Sequence, residues 1–182
     1  VVSAASRARN NARASLTAEQ VWGWLGAVAD PEIPVISIVD LGIVRHVSID
    51  GGACMVTITP TYSGCPAMAV IADAVIDALH SHGVQDVKLE TRIAPAWTTD
   101  WMSERGKYAL SAYGIAPPAQ QAIDISGLRN GLGRRLRDEP AVGCPHCGSV
   151  HTAVVSRFGS TPCKALYKCL DCLEPFDHFK CH

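Results

Sequence analysis

Thr59-Pro60-Thr61-Tyr62-Ser63-Gly64-Cys65-Pro66 joins a strand-like stretch to a helix-like one, and its reading decides the fold. Before it, Cys54, Val56 and Ile58 alternate with Met55, Thr57 and Thr59, the period of two of a half-buried strand. After it, residues 66–82 read as a helix, with Val70, Ile71, Ala74, Ala78 and Leu79 as the apolar stripe and Asp73, Asp77 and Ser81 as the wet face. Pro66 suits the first helical position, where a missing N–H costs nothing. Cys65 then falls at or beside the N-cap, among unpaired N–H groups and the positive end of the helix dipole. That setting favours a thiolate, the form that attacks electrophiles and binds soft metals. The plainer alternative is a small buried residue in a tight turn.

Working upstream, Asp50-Gly51-Gly52 is a hairpin signal that makes residues 43–49 the antiparallel partner of 53–59. Leu16-Thr17-Ala18-Glu19-Gln20-Val21 opens a helix, with Thr17 as cap, Gln20 closing a capping box and Asp30-Pro31 ending it. Downstream, Gly83 suits a helix C-cap and Val84–Ile93 a third strand, parallel to the second across the helix. A further helix runs from a cap at Thr99 or Asp100 to about Tyr113, closed by Gly114. The fold class is α+β: a small α-β-β-α-β domain with a mixed sheet over residues 16–116, followed by a metal module. Residues 1–15, with Arg7, Arg9 and Arg13, read as a flexible N-terminal arm without a signal peptide's apolar core. Residues 117–142, with Arg129, Arg134, Arg135 and Arg137, read as a linker.

The 182 residues carry 48% hydrophobic and 18% charged side chains, enough for one domain and a small appendage. A net charge of −1, from 16 basic and 17 acidic residues, argues against nucleic acid or an anionic membrane as partner. Apolar runs are too short to span a bilayer. Eight cysteines are many for this length, and paired C-x-x-C spacing favours metal binding in a reducing cytoplasm over disulfides. Cys144 and Cys147, then Cys169 and Cys172, can set four thiolates around one zinc ion. Iron fits the same donors. About 40 residues, 143–182, cannot bury enough core to fold without such a clip, which makes them a zinc-ribbon-like domain. The spacing leaves the roles of Cys54, Cys163, Cys181, His178 and His182 open.

Asp30-Pro31-Glu32-Ile33-Pro34, Val39-Asp40-Leu41-Gly42-Ile43-Val44 and the stretch from Thr59 to Pro66 together resemble the small iron–sulfur assembly domain of cluster-targeting proteins. Pro95-Ala96-Trp97-Thr98-Thr99-Asp100-Trp101 and the closing run from Cys169 to Cys181 look like one branch of that family, the accessory D component of phenylacetate degradation. The resemblance covers the chain from about Thr17 onward. It implies an accessory maturation factor rather than an enzyme, assisting iron–sulfur cluster or iron-site assembly in the multicomponent phenylacetyl-CoA epoxidase. The implied partners are the di-iron oxygenase and iron–sulfur reductase components of that enzyme. Cys65 matches the family's reactive cysteine, the point where a transient iron–sulfur cluster or iron would sit. Asp30, Glu32, Asp40 and Thr61 match its acidic and hydroxyl positions.

One cysteine cannot satisfy a cluster, so Cys65 would share it across a homodimer or with a target. Asp30 and Glu32 would orient the Cys65 loop or offer oxygen ligands to iron. Capping of the Leu41-Gly42 turn is the plainer role for Asp40, and solvation for Glu32. The chief rival is a cysteine-dependent enzyme, for acyl transfer or thiol exchange at Cys65. Its candidate bases, His46, His80 and His82, are poorly placed. A second rival is a ribbon that docks on proteins without delivering metal.

Overall fold

The computed structural model describes residues 16–118 and 141–180. The arm, the arginine-bearing part of the linker, Cys181 and His182 lie outside the described residues. Among the described residues, two sheets and three α-helices form the α+β architecture expected from the sequence. No described helix is long and apolar enough to cross a membrane.

Helix α1, Ala18–Leu25, begins with the expected capping box: Gln20 N–H donates to Thr17 Oγ1 at 3.3 Å and Thr17 N–H to Gln20 Oε1 at 3.0 Å. It stops at Gly26, before Asp30-Pro31, because the chain turns there to form the loop described below. Strands β1, Val44–Asp50, and β2, Ala53–Ile58, form the hairpin. Gly51 and Gly52, at φ 57° and 95°, occupy the left-handed conformations that a two-residue turn requires. Cys54, Val56 and Ile58 point into the core as the alternation predicts. Strand β1 breaks register between Val44 and His46. The intervening Arg45 lies with its guanidinium 3.5 Å from the centre of the Trp101 ring.

Helix α2, Met68–Ser81, is shorter than expected, and Pro66 precedes its N-cap, Ala67, instead of opening the helix. Its buried stripe is Ile71, Val75 and Leu79, while Val70 faces outward. Ile71 and Leu79 are buried as the pattern predicts, but Val75 takes the place of Val70, because apolar residues cover most of this helix and the sheet selects among them. The helix ends in a Schellman motif, with Gly83 N–H donating to His80 O at 2.9 Å and Val84 N–H to Leu79 O at 3.1 Å. Val84 is thus committed to the helix end, and β3 is only Val87–Thr91, parallel to β2. The sheet order is β1-β2-β3.

The last helix starts later than predicted. Thr99–Trp101 is a single 3-10 turn, and α3 runs from Glu104 to Ala112 with Ser103 as its cap. Ile115–Ala116, at the end of the first expected domain, forms β4 and pairs in parallel with β7, Pro175–Phe179. With β5, Thr152–Ser156, and β6, Lys164–Cys169, these make a second sheet ordered β4-β7-β6-β5. The two modules share a core. Phe179, 0% exposed, lies 5.9 Å from the Trp97 ring centre, and Trp97 Nε1 donates to Leu41 O at 3.0 Å.

Gly42 fixes how closely the Val39–Gly42 turn meets the 3-10 turn. Its φ is 75°, and an added Cβ would lie 2.6 Å from the Trp101 carbonyl oxygen. Gly42→Ala is therefore expected to lower stability by about 3 kcal/mol, summing left-handed strain and overpacking against rigid backbone. The midpoint of urea unfolding measures it.

Candidate functional site

The loop between α1 and β1 carries three of the predicted residues. Ile33, Ile36 and Ile38, each no more than 2% exposed, pin it into the core, and Ala29 bridges Ser37 across its neck. Asp30 is buried at its start, where Oδ1 accepts from the N–H of Glu32 at 2.9 Å and of Ile33 at 2.8 Å. Burial raises the Asp30 pKa, and these two bonds only partly oppose it. Glu32 is half-buried beside it.

Cys65 sits two residues before the α2 N-cap. Ala67 has no side chain to cap the helix, and the Cys65 sulfur takes the N–H groups of Ala67 and Met68 instead. The sequence reading expects a thiolate here. The structure gives the opposite direction: burial pushes the thiol above its ordinary range, the two N–H groups pull less strongly, and Glu32 and Asp30 add to the rise. No imidazole is among the groups that shift it. Of the rival bases, His82 stacks on Trp24 with ring centres 4.3 Å apart. Cys54, the other thiol weighed for exchange chemistry, is fully buried under the first sheet and raised by that burial. Thr61 is buried in the Cys65 loop.

Asp40 is engaged elsewhere. Its carboxylate accepts from Ser37 Oγ at 2.8 Å, Ser103 Oγ at 2.6 Å and Arg105 Nη2 at 2.8 Å. It thereby ties the Val39–Gly42 turn to the start of α3. The Leu41 and Gly42 amides bond to the Ser37 and Val39 carbonyls, so Asp40 does not cap that turn, contrary to the plainer expectation. Burial pushes the Asp40 carboxyl up, but these donors and the Arg105 charge together hold it below its ordinary value.

The ribbon cysteines form the second cluster. The ligand atoms of Cys144, Cys147, Cys169 and Cys172 all lie within 4.8 Å of one another, with Cys144–Cys172 at 3.8 Å and Cys147–Cys169 at 3.6 Å. A tetrahedral ion with Zn–S bonds of about 2.3 Å sets its sulfurs about 3.8 Å apart, so the donors fit zinc, and iron equally. Each knuckle turns through a left-handed residue after its second cysteine, Gly148 at φ 78° and Leu173 at 67°. The N–H groups of Cys172 and Asp171 point at Cys169 and lower its pKa. Beside them Asp171 accepts from Ser149 Oγ and meets His151 Nδ1 at 3.0 Å.

Cys163, left open by the sequence, lies outside the ribbon's ligand set. Its sulfur is 3.8 Å from Glu32 Oε2 and 3.0 Å from Thr161 Oγ1. Spacing alone gave no signal for this, beyond marking Cys163 as surplus to the two knuckles.

Comparison with known proteins matches two families along the chain. Residues 18–89 match the family described as iron–sulfur cluster assembly protein, and residues 130–180 match the PaaD zinc beta ribbon domain. A protein of Escherichia coli strain K12 named as the D component of 1,2-phenylacetyl-CoA epoxidase is 45% identical over 89% of this chain and 92% of its own length. The Bacillus subtilis Fe-S protein maturation auxiliary factor YitW is 40% identical over 50% of this chain and 91% of its own. The Staphylococcus aureus auxiliary factor SufT is 41% identical over 46% and 96%.

Two outcomes follow from this geometry. Asp40→Asn is expected to cost about 1–2 kcal/mol at neutral pH, a charged-group hydrogen-bond loss discounted because Arg105 is largely exposed. The folded pKa of Asp40 lies below its ordinary 3.8, so its contribution is complete above about that pH and is lost as pH falls through the folded value. The gap between wild type and variant in urea melts should therefore close below about pH 4. Separately, stripping the ribbon with a chelator under reducing conditions should release amide-exchange protection in 152–156, 164–169 and 175–179, while β1–β3 keep theirs.

Proposed function

The chain belongs to the family of the phenylacetyl-CoA epoxidase D component, and from that premise we propose that it is an accessory maturation factor for the multicomponent epoxidase. It carries iron or an iron–sulfur cluster as cargo at Cys65 and hands it to an oxygenase or reductase component. The observation that supports this best is the pairing of a half-buried thiol with two carboxylates. A nucleophile needs a base and a depressed pKa. A cation ligand instead gains from adjacent negative charge, because the cation replaces the proton. The same carboxylates that hold the Cys65 proton in place attract the ion that displaces it.

Incomplete ligation suits a donor. Four thiolates close a site and hold their metal, as Cys144, Cys147, Cys169 and Cys172 would do for one zinc ion in the ribbon, with iron the alternative. Zinc there supplies a fixed tetrahedral cross-link. Cys65 brings too few ligands to close a cluster, and a target protein or a second copy of the chain would supply the rest. Asp30 holds the loop that presents Glu32, and Asp40 fixes that loop to α3.

Anaerobically reconstituted wild-type protein should transfer iron or a cluster to a metal-free epoxidase component, measured as bound iron and sulfide after separation. Cys65→Ala should keep its ribbon zinc and transfer at least about ten-fold less. Undiminished transfer by that variant would remove Cys65 from the role.

A further inference from the structure

Asp171 lies between the ribbon cysteines Cys169 and Cys172, and its side chain reaches back to the other half of the ribbon. Its Oδ2 accepts from Ser149 Oγ, and its Oδ1 meets His151 Nδ1 at 3.0 Å. Ser149 Oγ accepts in turn from the His151 N–H at 3.0 Å. Ser149 is tied to the first knuckle by its backbone: its carbonyl accepts from the Cys144 N–H at 2.8 Å, and its own N–H is directed at the Cys147 sulfur. Beside Asp171, the Leu170 N–H donates to His151 O at 2.8 Å. The two knuckles are thus joined by hydrogen bonds that do not pass through the metal position. Asp171 and His151 are both metal-ligating residue types, yet the cluster of ligand atoms within 4.8 Å consists of the four cysteines alone. Nor does attraction to the site account for the carboxylate, because four thiolates around a divalent ion carry net negative charge, which it opposes. Its hydrogen bonds are what it contributes.

We propose that Asp171 is a positioning residue of the ribbon's metal site, clamping the second knuckle to the first through Ser149 and His151 and so slowing loss of the ion. This rests on the reading of the four cysteines as zinc ligands and is independent of Cys65. Asp171 and His151 are each more than half exposed, so their pairing adds little to folding stability by itself. Its place in the chain gives it leverage on the site instead, since groups just outside a ligand set fix how the ligands are aimed. A thiolate that lets go stays within reach of the ion when its knuckle cannot swing away, and the bond re-forms before a second one opens. Cys147, the exposed member of the four, is where a competing chelator enters, and Ser149 follows it by two residues.

Zinc release from the full chain to an excess of a chromophoric chelator, timed under reducing conditions, tests the clamp. Asp171→Ala is expected to release zinc about ten-fold faster than wild type. Ser149→Ala should also release it faster, and adding it to Asp171→Ala should change little, because the two act through one bond. Asp171→Asn keeps an oxygen to accept from Ser149 but carries no charge, and should stay within about three-fold of wild type. In the cobalt-substituted ribbon the d–d bands should shift in Asp171→Ala and return toward wild type in Asp171→Asn. Amide protection of β1–β3 reports that each variant folds, and Ser149→Ala decides the matter if Asp171→Ala does not. Wild-type release rates in both alanine variants would overturn the clamp. Release from Asp171→Asn as fast as from Asp171→Ala would overturn it too, assigning the effect to charge. A wild-type chain that binds no zinc would overturn the reading of the ribbon along with it.

Discussion

Phe179 against Trp97 is the contact on which the arrangement depends. The two rings meet across the seam between modules, one from the last strand of the ribbon and the other from the segment leaving the first sheet. Trp97 is fixed in turn by its bond to the Leu41 carbonyl, next to the turn that Asp40 and Gly42 hold in place. Burying a ring as completely as Phe179 is worth about 3–5 kcal/mol against alanine. The β4–β7 pairing adds directional bonds of about 1 kcal/mol each. A ribbon that was merely tethered would leave Cys163 without a fixed neighbour; this one brings it within 3.8 Å of Glu32.

The chain handles its cysteines in three ways. Cys54 is packed in apolar surroundings, where burial keeps it protonated and inert. The ribbon cysteines meet at tetrahedral spacing, with knuckle amides directed at Cys169, a donor set that fits one zinc ion. Burial raises the thiols of Cys65 and Cys163, and the carboxylates of Glu32 and Asp30 add to the rise while favouring a cation there. The difference lies in the burial and the neighbours of each sulfur, not in the cysteines themselves.

What was legible in the sequence was local. The Thr17–Gln20 box, the Gly51-Gly52 hairpin and the paired ribbon knuckles each involve partners a few residues apart, and each is where spacing put it. Features decided by distant packing were misplaced or invisible. The stripe of α2 is selected by the sheet beneath it, and the start of α3 by the anchoring of Ser103 to Asp40. Cys65 was correctly sited in the loop before a helix, yet its protonation was inverted. The helix end was visible from sequence, but the burial that opposes it was not, nor the carboxylates that add to it from a loop some thirty residues earlier. No pattern along the chain announces that a ribbon cysteine faces that loop.

The Glu32–Cys163 contact spans 131 residues, almost the whole described chain. Contacts of such sequence separation form late, because the intervening chain must be ordered first. During synthesis the acidic loop and Cys65 emerge and can fold well before Cys163 is made, and domains generally fold in that order. Cys163 then reaches Glu32 only once the strand that follows it, β6, has been made.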